Sequence, residues 1–158
     1  PDQIDPHGLL SPQQLEILRR EATPEGPPLT IFTHYPALRL NSPWMDANML
    51  IFNGEEMHQV LLPGRGGLRA VLYGHIHNSM QTIRDCMLYC AVASTFAGFT
   101  AWPNEEMIRA DHDAMPAFNF VECLPEQTII QQRPFRRLPG EPVVRRPTGR
   151  AGQESLED

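Results

Sequence analysis

With 158 residues, 41% of them hydrophobic and 20% charged, the chain has the size of one globular domain and can bury a core, which excludes wholesale disorder. Its formal charge of -6 and pI near 5.5 exclude a general electrostatic grip on nucleic acid polymers or on a membrane surface, because both need a basic face. No apolar run approaches the ~18 residues of a membrane helix, and the opening Pro-Asp-Gln-Ile-Asp does not read as a signal peptide. A cytoplasmic location is expected unless a signal stood upstream of Pro1, which is not a methionine. Cys86, Cys90 and Cys123 are an odd number with no C-x-x-C pair, so a disulfide framework is not expected.

In chain order, Ser11-Pro12-Gln13-Gln14 predicts a helix start. Ser11 is the N-cap, Pro12 takes the first helical position, Gln14 closes a capping box, and Leu10 staples onto Leu15. This helix is expected to reach about Ala22, ended by the cluster Pro24 to Pro28. Leu29 to Thr33 reads as a strand that stops at His34-Tyr35-Pro36. A loop carrying Trp44 precedes a second helix over Glu55 to Leu62, with Met57, Val60 and Leu61 inward and Pro63 to Gly67 breaking it. Arg69 to Tyr73 is the next strand, running into Gly74-His75-Ile76-His77-Asn78. Strand, helix, strand predicts a crossover with neighbouring parallel strands, both histidine motifs opening on one rim.

Further on, Met80 to Ile83, Met87 to Ala93, Ala117 to Leu124 and Thr128 to Arg133 read as short strands. Turns at Asp85 and Pro125-Glu126 predict antiparallel hairpins. The domain is expected to span residues 1–137. Residues 138–158, rich in Pro, Gly, Arg and acid without apolar periodicity, are expected to form a disordered tail.

Neutral imidazoles are good ligands for zinc, iron and manganese, and three at the ends of adjacent strands can converge on an ion. His34, His75 and His77 satisfy that placement. A spacing of two lets His75 and His77 project to the same side of an extended segment, and Gly74 leaves room for close backbone approach.

The pair Thr33-His34-Tyr35-Pro36 and Gly74-His75-Ile76-His77 resembles the last two signature motifs of the calcineurin-like metallophosphoesterases. Leu10 to Leu15, Trp44-Met45-Asp46, Asn53 and Ala93 to Phe96 resemble its class III cyclic-nucleotide phosphodiesterase branch, so the likeness runs from about Gly8 to Arg133. The resemblance implies an α/β (α+β) fold, here the C-terminal half of a β-sandwich flanked by helices, with a mixed sheet. It also implies two divalent ions, manganese, iron or zinc, with His34 and His75 on one and His77 on the other. A hydroxide between the two ions would attack the phosphorus of a phosphoester such as a cyclic nucleotide.

The family's earlier motifs, D-x-H, G-D-x-x-D and G-N-H-[DE], carry the other ligands and the leaving-group histidine. None stands here in context, so no catalytic residue is assigned. Asp5-Pro6-His7 matches D-x-H, but no strand precedes it and it lies too close to the later motifs; it reads as a chance match. Without a bridging carboxylate this chain alone is expected to hold at most one ion well and to be weakly active or inactive. A half-sandwich would expose strand edges and an apolar face, inviting a homo-oligomer or a complementing N-terminal chain. Two alternatives stand beside this reading: a mononuclear zinc hydrolase using the three histidines, and a non-catalytic remnant or interaction module.

Other chemistry-bearing residues read more plainly. His7, His58 and His112 are expected at the surface, His58 on a helix beside Gln59, and Asp111-His112-Asp113 reads as a solvated loop. Cys86 and Cys90 are expected to share one strand face as small hydrophobes. The loop Gly64 to Gly67 reads as a helix-to-strand turn, since it lacks the G-K-[ST] ending of a phosphate loop. Trp44 and Phe96 either line a substrate base or pack in the core.

Overall fold

The computed structural model describes residues 7–100 and 102–136. The expected tail 138–158 and Asp5 of the D-x-H match lie outside the described residues. The described elements are α1 (Pro12–Glu21), β1 (Leu29–Thr33), α2 (Pro43–Asn48), α3 (Gly54–Leu61), β2 (Leu68–Tyr73), β3 (Gln81–Arg84), β4 (Met87–Ala91), β5 (Gly98–Phe99), β6 (Ala110–Asp111), β7 (Ala117–Cys123) and β8 (Thr128–Pro134).

The capping box forms as the sequence predicts. The Gln14 amide donates to Ser11 Oγ at 3.2 Å, and the Ser11 amide donates to Gln14 Oε1 at 2.8 Å. Pro63 and Gly64 do not end the second helix abruptly, because Leu62–Gly64 adds one 3-10 turn in which proline's missing amide is not needed. The Trp44 segment is not simply a loop: Pro43 opens the six-residue α2, with Met45 fully buried beneath it. Gly54 opens α3 against the loop after β1, where a Cβ would overlap the Ala37 carbonyl.

A four-stranded mixed sheet in the order β1-β2-β4-β3 forms the centre. β1 pairs with β2 and β2 with β4 in parallel, while β3 and β4 form an antiparallel hairpin. The strands alternate between two faces. Ile31, Val71, Tyr73, Met87 and Tyr89 join Leu15, Met45, Met57, Val60 and Leu61 from the helices in the main core. Ala70, Leu72 and Cys90 point the other way, against Val121 and Ile130 of the β7–β8 hairpin. Helices on one face and a hairpin on the other make a mixed α/β arrangement, in keeping with part of a metallophosphoesterase fold.

Among the described residues, β1 and β3 are the sheet's edges. Phe32 of β1, on the face shared by its register partner Leu72, remains 75% exposed.

The two-residue turn Asp85-Cys86 has positive φ at both positions, 50° and 63°, which is the backbone a tight hairpin requires. Cys86 is therefore an exposed turn residue rather than a strand residue, and only Cys90 of the pair is buried.

His58 is also buried, with no exposed surface, contrary to its expected surface position. Its Nε2 lies 2.9 Å from Asp85 Oδ2 and its Nδ1 2.8 Å from the Tyr89 hydroxyl. A carboxylate accepts only, so Nε2 carries the hydrogen and, in the neutral ring, Nδ1 accepts from Tyr89. Burial pushes the Tyr89 hydroxyl up to about 12, which keeps it a neutral donor.

Candidate metal centre

The carboxyl ends of the parallel strands β1 and β2 share one rim, where open α/β sheets gather ligands. The Gly74 amide donates to the His34 carbonyl at 3.2 Å, so strand pairing continues one step past the ends and sets the two motifs side by side. His34 follows β1 directly and is exposed; His75 follows Gly74 and is half-buried.

Their rings meet edge to face, with centroids 4.8 Å apart, and His75 Nδ1 lies 3.1 Å from His34 Nε2. Two nitrogens bound ~2.0–2.1 Å from a tetrahedral ion sit ~3.3 Å from each other. The pair therefore fits two coordination positions of a single ion. Tyr35 adds a third ring, its centroid 4.5 Å from that of His75 and 5.0 Å from that of His34.

His77 lies in a different contact. It stacks on Phe99 of β5 with centroids 4.7 Å apart and planes inclined by 4°. The segment is not extended: His75 and His77 both take left-handed backbone, with φ of 67° and 53°. This overturns the expectation that period-two geometry turns both histidines to one side. Gly74 is not there for lack of space either, since a Cβ would meet nothing closer than 3.9 Å. Residues other than glycine hold positive φ only where their surroundings over-determine it, and such positions concentrate at functional sites. Ile76, fully buried between the two histidines, supplies part of that constraint.

Among the described residues, no three His, Cys, Asp or Glu side chains are grouped so as to hold an ion. The structure brings His34 and His75 together and does not add His77 to them as a third member. Sequence reasoning did not reach Phe99, and it gave no role to Asn78, whose side-chain amide donates to the Phe99 carbonyl at 2.9 Å. Nothing in residues 74–78 signals a partner some twenty positions ahead.

Several residues that carry the resemblance are structural. Asn53 accepts from the Leu10 amide at 3.0 Å and donates to the Leu10 carbonyl at 2.9 Å, fixing the entry to α1. Asp46 accepts the Leu40 amide at 2.6 Å and holds the loop after β1. Ser94 Oγ accepts from the Phe96 and Ala97 amides at 3.0 and 3.3 Å, making a turn. Trp44 packs half-buried against the core, whereas Phe96 is 45% exposed. His7 lies against Phe52 with Nδ1 3.1 Å from the Leu50 carbonyl, and His112 is exposed.

The sequence matches no protein-family model. Over 143 residues it is 30% identical to the 3',5'-cyclic-nucleotide phosphodiesterase alr5338 of Nostoc sp., covering 87% of this chain and 51% of that protein. Over 79 residues it is 38% identical to the 3',5'-cyclic adenosine monophosphate phosphodiesterase CpdA of Haemophilus influenzae, covering 49% of this chain and 28% of that protein. The chain is a relative of the cyclic-nucleotide phosphodiesterases of the calcineurin-like metallophosphoesterase superfamily. It spans about half the length, or less, of these two phosphodiesterases. Among the described residues no helix is long and apolar enough to cross a membrane.

Proposed function

We propose that this chain carries the C-terminal metal-binding part of a phosphodiesterase acting on a cyclic nucleotide. His34 and His75 would hold one divalent ion, manganese, iron or zinc, and His77 would serve a second. The observation that carries the reading is the 3.1 Å approach of His75 Nδ1 to His34 Nε2 at the ends of β1 and β2. Similarity to two cyclic-nucleotide phosphodiesterases supports the substrate class.

A bound divalent ion supplies Lewis acidity toward the phosphoryl oxygens and a hydroxide at neutral pH. This chain's own residues contribute the neutral imidazoles and their orientation: Tyr35 packs against both rings of the pair, and the Gly74–His34 backbone bond sets their spacing. Among the described residues no carboxylate is grouped with the pair, so one ion at most is expected to bind well, and turnover by these residues alone is expected to be weak or absent. Among the described residues no strand pairs with the outer edge of β1, and this edge with exposed Phe32 offers a complementing polypeptide a place to add.

The test is manganese-dependent hydrolysis of cyclic AMP by this chain, alone and mixed with a polypeptide bearing D-x-H, G-D-x-x-D and G-N-H-[DE]. Turnover that requires both parts and disappears with His75→Ala is expected. Turnover by the chain alone, abolished by His75→Ala, would overturn the incompleteness. No turnover by the mixture would overturn the phosphodiesterase reading.

A further inference from the structure

We propose that Phe99 is a positioning residue for His77, fixing the plane of its imidazole before any ion arrives; this rests on reading His77 as a metal ligand. Two independent contacts converge on Phe99. Its ring lies face to face with that of His77, 4.7 Å away and inclined by 4°. Its carbonyl accepts the Asn78 side-chain amide at 2.9 Å, tying down the residue next to His77. Phe99 is itself anchored, since it pairs with Ala110 across β5 and β6 and packs against the main core.

His77 needs such support. At φ 53°, it stands outside every strand, where a non-glycine residue stays only if its neighbours hold it. Metal-binding histidines are commonly oriented by a carboxylate or carbonyl hydrogen-bonded to the second ring nitrogen, which fixes plane and tautomer together. A stacked phenyl fixes the plane only. It covers a π face, whereas a neutral imidazole coordinates edge-on, through the in-plane lone pair of one ring nitrogen. It also offers no polar atom to compete for them. The His34, His75 and Tyr35 rings meet at 61° to 82°, so there ring edges are engaged with neighbouring rings. A preset ring plane lowers the ordering cost of binding.

The test is imidazole NMR of the whole chain as wild type, Phe99→Leu and Phe99→Tyr, without metal and then titrated with zinc chloride. Leucine keeps the apolar volume but removes the ring; tyrosine keeps the stack. Without metal, Phe99→Leu is expected to remove a ring-current shift from the His77 CH protons and leave those of His34 and His75 in place, while Phe99→Tyr retains it. With zinc, His34 and His75 are expected to respond first and His77 in a second, weaker phase. That second phase should move to about tenfold higher zinc in Phe99→Leu, with the first phase unchanged and Phe99→Tyr matching wild type. His77 protons unmoved by Phe99→Leu, or a second phase at the same zinc concentration, would overturn the proposal. A His77 that never responds to zinc would also overturn it, while the first phase reports separately on the His34–His75 centre.

Discussion

His58 and the His34–His75 pair set the same side chain in opposite surroundings. His58 lies on a helix, has no exposed surface, and has both ring nitrogens engaged by Asp85 and Tyr89. His34 and His75 stand on loops at a strand rim, turn nitrogens toward each other, and in His75 hold left-handed backbone. The first arrangement is closed and serves stability; the second is open and strained, as ligand sites are. A histidine's burial and partners, more than its sequence neighbours, separate the two roles.

The largest expected effect of breaking this contrast is on stability. His58→Ala leaves the Tyr89 hydroxyl and a cavity unfilled, and should lower unfolding free energy by about 3 kcal/mol in urea titrations. Zinc binding at His34 and His75 should be unaffected. The mirror experiment is His75→Gly. Zinc affinity should fall about 100-fold by calorimetry, and stability should rise by ~0.5–1 kcal/mol because glycine accepts φ 67° without strain. A stability loss there would show that the strained loop is not held for binding.

How much of this could be read from the chain follows the range of the interactions involved. α1 with its capping box, β1, the β2 core and both hairpins were legible, because each is set by neighbours within a few residues. The parallel placement of both motifs on one rim followed from strand, helix, strand order. His58 was misplaced because its partners Asp85 and Tyr89 are 27 and 31 positions away. The left-handed backbone of His75 and His77 was invisible for a related reason: nothing in Gly-His-Ile-His encodes positive φ, and the features that accompany it, the burial of Ile76 and the stacking of His77 on Phe99, are tertiary. Phe99 escaped notice because β5 and β6 are two residues each, too short for a periodic signal.

Smaller effects sharpen the picture around His58. Cys86→Gly should stabilise by ~0.5–1 kcal/mol in thermal unfolding, since φ 63° favours glycine, and should leave the Asp85–His58 contact intact. Glu55 is held at about 2 by its forked hydrogen bonds with Arg84, at 2.7 and 2.8 Å, and by Gln59. With its folded value below the usual 4.5, the contribution is fully present above pH ~4.5 and lost as pH falls toward ~2. The pair is exposed and screened, so Glu55→Gln should flatten that acid limb by no more than about 0.5 kcal/mol, and by less in high salt.

The most direct test of the histidine pair is native mass spectrometry of the chain in equimolar zinc, beside His75→Ala. One ion per chain in wild type and none in the variant is the expected result. No bound ion in wild type, or one ion in both proteins, would contradict a metal centre built on His34 and His75.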